Sequence, residues 1–200
     1  MGKFFFWILK LFGWKIDDHS PAGVNKAVVV VGPHTSNWDF VIGKMAFAHY
    51  KVNAKFLIKK DLFFFPLGPL LRAMGGIPVD RKKNNNITEQ AVNIFRNSEK
   101  CFLVFTPEGT RSYQPHWKKG FYYIAQNAGV PIYIAYIDYK RKIGGFHSLF
   151  TPTGDVEADI RYIKGILSEY TGKVPENGIR SEEAAREGAY VKKPELKERG

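Results

Sequence analysis

In the stretch VVVVGPHTSNWDF (28–40) a histidine and an aspartate, His34 and Asp39, stand with four residues between them. An imidazole with one nitrogen held by a carboxylate keeps a defined tautomer and offers its other nitrogen as a general base. The same residues have an ordinary explanation. Ser36-Asn37-Trp38-Asp39 fits an N-terminal capping box, in which Asp39 satisfies backbone donors of the first helical turn and His34 is a turn residue. Position favours the chemistry, because His34 directly follows a valine run that reads as a buried strand, and sites in α/β proteins gather beyond the carboxyl ends of strands.

A second stretch, FTPEGTRS (105–112), also follows an apolar run. It combines a strand-stopping Pro107, a permissive Gly109, the carboxylate of Glu108 and the forked guanidinium of Arg111. An arginine beside a loop of backbone N–H groups outlines a phosphate site. The ordinary alternative is a strand-to-helix loop with a surface salt bridge, which contributes little. Other chemistry-bearing residues form no pattern. Cys101 opens an apolar strand with no base near it in sequence and reads as a buried thiol, and His19, His49, His116 and His147 lack ligand spacing.

The elements that must position these residues alternate. Apolar runs at 27–31, 54–59, 77–79, 101–105, 131–138 and 146–151 read as strands, and stretches at 36–50, 86–97, 116–129 and 155–170 read as helices. Asn86 and Glu89 supply a cap signature to the second helix, whose apolar residues share one face. The segment 61–81 is apolar but broken by Pro66 and Pro69. Phe121, Tyr122, Tyr123 and Ile124 could line an apolar groove, with plain helix packing as the simpler role. The pattern predicts an α/β domain, a largely parallel central sheet flanked by helices, preceded by an amphipathic N-terminal helix. Residues 1–20 are assigned to that helix, 21–170 to the central domain and 171–200 to a polar, loosely ordered tail.

Thirty Lys and Arg against nineteen Asp and Glu leave a net charge of +11, which suits nucleic acid, an anionic membrane surface or phosphorylated small molecules. The cationic residues are scattered, and no nucleic-acid recognition motif appears, so a nucleic-acid partner is not expected. The single cysteine excludes an intramolecular disulfide and a multi-cysteine metal site. The N-terminal run MGKFFFWILKLFGWK is interrupted by Lys10 and Lys15 and falls short of the roughly 20 residues a spanning helix needs. It lacks the small-residue cleavage site of a signal peptide, and Phe6 stands where myristoylation wants Ser or Thr. Its aromatic and lysine content suits shallow insertion at a lipid interface.

HTSNWD and FTPEGTRS together resemble the blocks of the glycerolipid acyltransferase superfamily, of the lysophosphatidic acid acyltransferase type. GGIPVDR (75–81) and GVPIYIAYI (129–137) match two further blocks in the family's order, so the resemblance covers roughly residues 27–140. Pro33 replaces the family's usual Asn, and Thr106 intervenes between Phe105 and Pro107.

The resemblance implies transfer of a fatty acyl group from acyl-CoA or acyl carrier protein to a hydroxyl of a lysophospholipid such as 1-acylglycerol-3-phosphate. His34 and Asp39 would be the catalytic pair, and Arg81, Glu108, Gly109, Thr110 and Arg111 would form the acceptor site. No metal or cofactor is required beyond the acyl-donor substrate. Membrane lipids are the implied partners, and a peripheral position on the cytoplasmic face of the inner or plasma membrane the implied location. Acylation of another lipid, such as an aminoacyl lipid, and hydrolysis of a thioester or lipid ester are the alternatives.

Overall fold

A computed structural model describes residues 2–21, 23–80 and 87–180, with residues 2–6 described by their backbone alone. Helix α1 (Gly2–Leu11) leads through a short strand β1 (Lys15–Ile16) into β2 (Lys26–Gly32) and α2 (Trp38–His49). There follow β3 (Ala54–Lys59), α3 (Leu67–Ala73), β4 (Gly76–Val79), α4 (Ile87–Arg96), β5 (Cys101–Phe105), α5 (Gly120–Ala128), β6 (Ile132–Asp138), β7 (Ile143–Phe150) and α6 (Val156–Leu167).

The strands form one seven-stranded sheet in the order β1-β7-β6-β2-β5-β3-β4. β2, β3, β4, β5 and β6 run parallel to their neighbours in that set, while β6 and β7 pair antiparallel and β1 runs parallel to β7. A central strand covered on both faces must be apolar along its whole length. β2 meets this demand: Ala27, Val28, Val29 and Val30 have no exposed surface. Its side chains alternate between two cores. Val28 and Val30 pack with Phe95 of α4, Phe121 of α5 and Ile163 of α6. Val29 and Val31 pack with Ile42 and Phe47 of α2, Leu9 of α1 and Phe146 of β7. Each such side chain removed from water contributes about 1.5–3 kcal/mol, so the two faces together anchor β2 firmly.

Three elements depart from the sequence reading. The broken segment at 61–81 contains α3, with Pro69 in its first turn, where no intrahelical donor is lost. β7 begins earlier than expected, at Ile143. The tail expected to be loose from residue 171 packs back on the domain through residues 172–180, described below. The last helix has an N-cap that the sequence reading did not single out, with Asp155 accepting from the Ala158 N–H at 3.0 Å. Asn86 of the proposed α4 cap lies outside the described residues.

α1 has two characters. Leu9 is buried in the α2-side core with Trp14 and Ile16 packed nearby, whereas Trp7, Leu11 and Phe12 are exposed. No helix among the described residues is long and apolar enough to cross a membrane.

Candidate active site

The site forms where three neighbouring parallel strands, β6, β2 and β5, end together. Val30 of β2 is in register with Phe105 of β5, and Gly32 with Tyr136 of β6. Residues just past those ends, His34, the 106–111 loop and Tyr139, are therefore brought to one edge.

His34 Nδ1 lies 3.0 Å from Asp39 Oδ2. The same oxygen accepts the backbone N–H groups of Thr35 at 2.8 Å and Ser36 at 2.9 Å. Asp39 thus takes backbone donors of the loop before α2 and not of its first turn, whose N-cap Asn37 has no side-chain cap bond, and from there it also reaches the imidazole on that loop. Its other oxygen, Oδ1, accepts the Tyr139 phenol at 2.7 Å. Burial alone would raise the Asp39 carboxyl, but hydrogen bonds from His34, Tyr139, Ser36 and Thr35 outweigh it and hold the group below the usual carboxylate range. An Asp39 held ionised favours a proton on Nδ1 of His34, an arrangement in which Nε2 can accept one.

Glu108 points the other way from the expected acceptor site. Its carboxyl is buried, and Oε1 accepts the His34 backbone N–H at 2.9 Å. Oε2 is buried without a hydrogen-bond partner among the described residues. Desolvation pushes Glu108 up to about 7, against the opposing pull of the His34 N–H. Gly32 leaves room for this arrangement: a Cβ there would meet Leu167 Cδ1 at 3.1 Å, Ile179 Cδ1 at 3.2 Å and Glu108 Oε1 at 3.7 Å. Gly109 takes φ +65, a left-handed conformation that side chains resist, and turns the loop so that Thr110 and Arg111 face outward. The Arg111 guanidinium donates to Asn37 Oδ1, tying the two loops a second time.

Two cavities meet at His34. A cleft of about 740 Å³ is lined by His34, Asn37, Gly109, Thr110, Arg111 and Lys118, with Val79, Phe121 and Ile124 supplying apolar wall. A narrower groove of about 310 Å³ runs beneath α2, lined by His34, Phe40, Gly43, Phe47, Phe56 and Leu57. Of the sequence-derived candidates, His34, Asp39, Gly109, Thr110 and Arg111 therefore lie together, Glu108 stands behind them, and Arg81 lies outside the described residues. Of the aromatic run in α5, Phe121 and Ile124 reach the cleft, whereas the Tyr122 hydroxyl donates to Asp159 at 2.7 Å and Tyr123 is exposed. Among the described residues no three His, Cys, Asp or Glu side chains group as metal ligands.

The 172–180 segment crosses the back of the site. The Val174 N–H donates to Thr35 Oγ1 at 3.2 Å, Lys173 lies over the Trp38 ring, and Arg180 lies over the Tyr113 ring. Sequence reasoning missed Tyr139, Asn37 and Lys118. Tyr139 had one available signal, its place at the carboxyl end of an apolar strand, the same rule that picked out His34.

The profile of the Acyltransferase family matches residues 15–138, a span that contains β2, α2, β5 and every described site residue except Tyr139. The chain belongs to the Acyltransferase family. Among solved structures, this acyltransferase is similar to the 1-acyl-sn-glycerophosphate (LPA) acyltransferase PlsC from Thermotoga maritima, with a TM-score of 0.59 and 19% identity over 84% of this chain and 75% of that one. At that identity the likeness speaks for the fold, which agrees with the largely parallel sheet expected from the sequence. Among curated proteins no match was found.

Proposed function

We propose that this acyltransferase moves a fatty acyl group from an acyl thioester, acyl-CoA or acyl carrier protein, to a hydroxyl of a lysophospholipid held at a membrane surface. The observation that carries this reading is the placement of His34 at the junction of two unlike cavities. One holds Arg111 and Lys118 and suits a phosphate head. The other is mostly apolar and suits an acyl chain. A reaction between a charged acceptor and a long-chain donor needs a base where the two meet.

In the proposed step Nε2 of His34 takes the hydroxyl proton as the acceptor oxygen attacks the thioester carbonyl, and Asp39 stabilises the imidazolium. The tetrahedral adduct collapses, the carbon–sulfur bond breaks, and the leaving thiolate receives the proton from His34. An ester and a free thiol result, with no oxidant, metal or covalent enzyme intermediate consumed. The exposed Trp7 and Leu11 of α1 and Phe12 in the turn after it support shallow seating at the lipid interface on the cytoplasmic side, where a +11 chain meets anionic headgroups.

The test is an assay with labelled acyl-CoA or acyl carrier protein thioester, run with and without lysophosphatidic acid. Label transferred to the lysolipid supports the reading. Label released to water with no dependence on acceptor would replace it with hydrolysis, and transfer to a different lysolipid alone would correct the acceptor.

A further inference from the structure

The His34–Asp39 pair spans one loop and one helical turn, but the carboxylate is completed from elsewhere in the chain. His34, Thr35 and Ser36 all contact Oδ2. Oδ1 is taken by the Tyr139 hydroxyl at 2.7 Å, across a sequence separation of 100 residues. A carboxylate held by one oxygen can still turn about its Cβ–Cγ bond, whereas one held by both oxygens from opposite sides cannot. We propose that Tyr139 is a positioning residue of this enzyme, fixing the plane of the Asp39 carboxylate and moderating the charge it presents to His34.

Tyr139 is itself held at three points. It is the first residue past β6, and its N–H donates to the Thr171 carbonyl at 2.9 Å. The Trp14 ring meets its ring edge-on, with centroids 5.0 Å apart and planes at 87°. Its phenol is shifted upward by desolvation and by the neighbouring Asp39, so it remains a donor throughout the pH range in which His34 works. Among the described residues, other ionisable groups near the pair are Glu108 and Arg111 of the β5 loop, Lys118 on the cleft shared with His34, and Lys173 of the C-terminal segment over Trp38. All of them remain when Tyr139 is changed, so an effect of that change is its own. Because Trp14 directly follows the turn after α1, the N-terminal segment also contributes to seating this ring.

The proposal rests on the assignment of His34 as base, and the experiment separates the two. Tyr139→Phe keeps the ring against Trp14 and removes only the hydroxyl. The expected result is kcat lower by about tenfold with the KM values for donor and acceptor near those of the parent enzyme, the size of effect for losing a hydrogen bond to a charged group. The His34 imidazole, followed by NMR, should titrate higher in the variant than in the parent enzyme, since an unmoderated carboxylate favours the imidazolium more strongly. Site-specific fluorotyrosine at 139 retains the ring and donates more strongly, so it should move the titration downward; this second variant decides the matter if Tyr139→Phe does not fold. An unchanged titration in the variant, whether or not kcat falls, would show that Tyr139 only packs. In the same assay, an inactive His34→Ala beside a fully active Tyr139→Phe overturns the role of Tyr139 alone, whereas an active His34→Ala overturns the base assignment and this proposal with it.

Discussion

Glu108 Oε1 and the backbone nitrogen of His34 are 2.9 Å apart, so a single buried carboxylate on the loop after β5 grips the loop after β2 that bears the base. Glu108, one of the FTPEGTRS residues expected at the acceptor site, is turned inward.

This grip has a pH dependence. Desolvation raises Glu108 from 4.5 to about 7 in the fold, so between those values the folded chain holds a proton that the unfolded chain has released. Stability from this group is therefore full below about 4.5 and declines as pH rises to about 7, by on the order of 3 kcal/mol. Asp17 and Asp39, both held below 3.8, act in the opposite sense and only at lower pH. Glu108→Gln should flatten the dependence of Tm on pH between 5 and 7 relative to the parent protein. A parallel decline in both would mean that another group titrates there.

His34→Ala should lower kcat by about 10² to 10⁴-fold while leaving the melting curve near that of the parent, because the side chain is at the mouth of two cavities. Asp39→Asn should cost less activity but more stability, since two backbone donors and the Tyr139 phenol would face a weaker acceptor. Single-turnover rates beside thermal melts distinguish the two patterns.

Arg111→Lys keeps a positive charge in the cleft but loses the planar fork and the tie to Asn37. The KM for a phosphate-bearing acceptor should rise by about tenfold with the donor KM little changed. Steady-state kinetics with each substrate varied in turn provide the check, and equal losses for both would indicate a scaffold role.

Gly43 lies inside α2 and opens onto the apolar groove, where an added Cβ would have Phe47 Cε2 as neighbour at 4.0 Å. Gly43→Ala should thus fit and stabilise the helix by up to about 1 kcal/mol. Gly43→Leu should obstruct the groove and shift preference toward shorter acyl chains, measured by competition among thioesters of graded length. No change in chain preference would place the acyl chain elsewhere.

Near the N-terminus, Trp7→Ser in α1 and Phe12→Ser in the turn after it should weaken co-sedimentation with anionic vesicles and leave Tm unchanged, because both side chains are more than half exposed, at 62% and 66%. Leu9→Ala should do the reverse, lowering stability by about 2–3 kcal/mol from its buried place beside α2. A Tm loss in Trp7→Ser equal to that of Leu9→Ala would assign the whole helix to the core.

What the sequence determined by itself is local. Apolar runs at 54–59 and 101–105 became β3 and β5 with the expected bounds: β5, inside the sheet, is apolar along its whole length, whereas β3, which carries Lys55 and Lys59 and is mostly half-buried, was marked by its central Phe-Leu-Ile run. His34 and Asp39 were legible because strand, turn and helix cap lie within a few residues, and the same short path lets the carboxylate reach back to the ring. What only the tertiary structure decided depends on strand order, which is selected by how faces pack and not by the propensity of any one segment. Placing β2 between β5 and β6 brings Glu108, 74 positions from His34, and Tyr139, 100 from Asp39, onto the same pair. No local pattern encodes which of two loops a carboxylate will face. Glu108 therefore read as an acceptor-site residue until burial turned it toward the His34 backbone, and Tyr139, one residue past the strand read at 131–138, drew no notice until the sheet set its hydroxyl against Asp39.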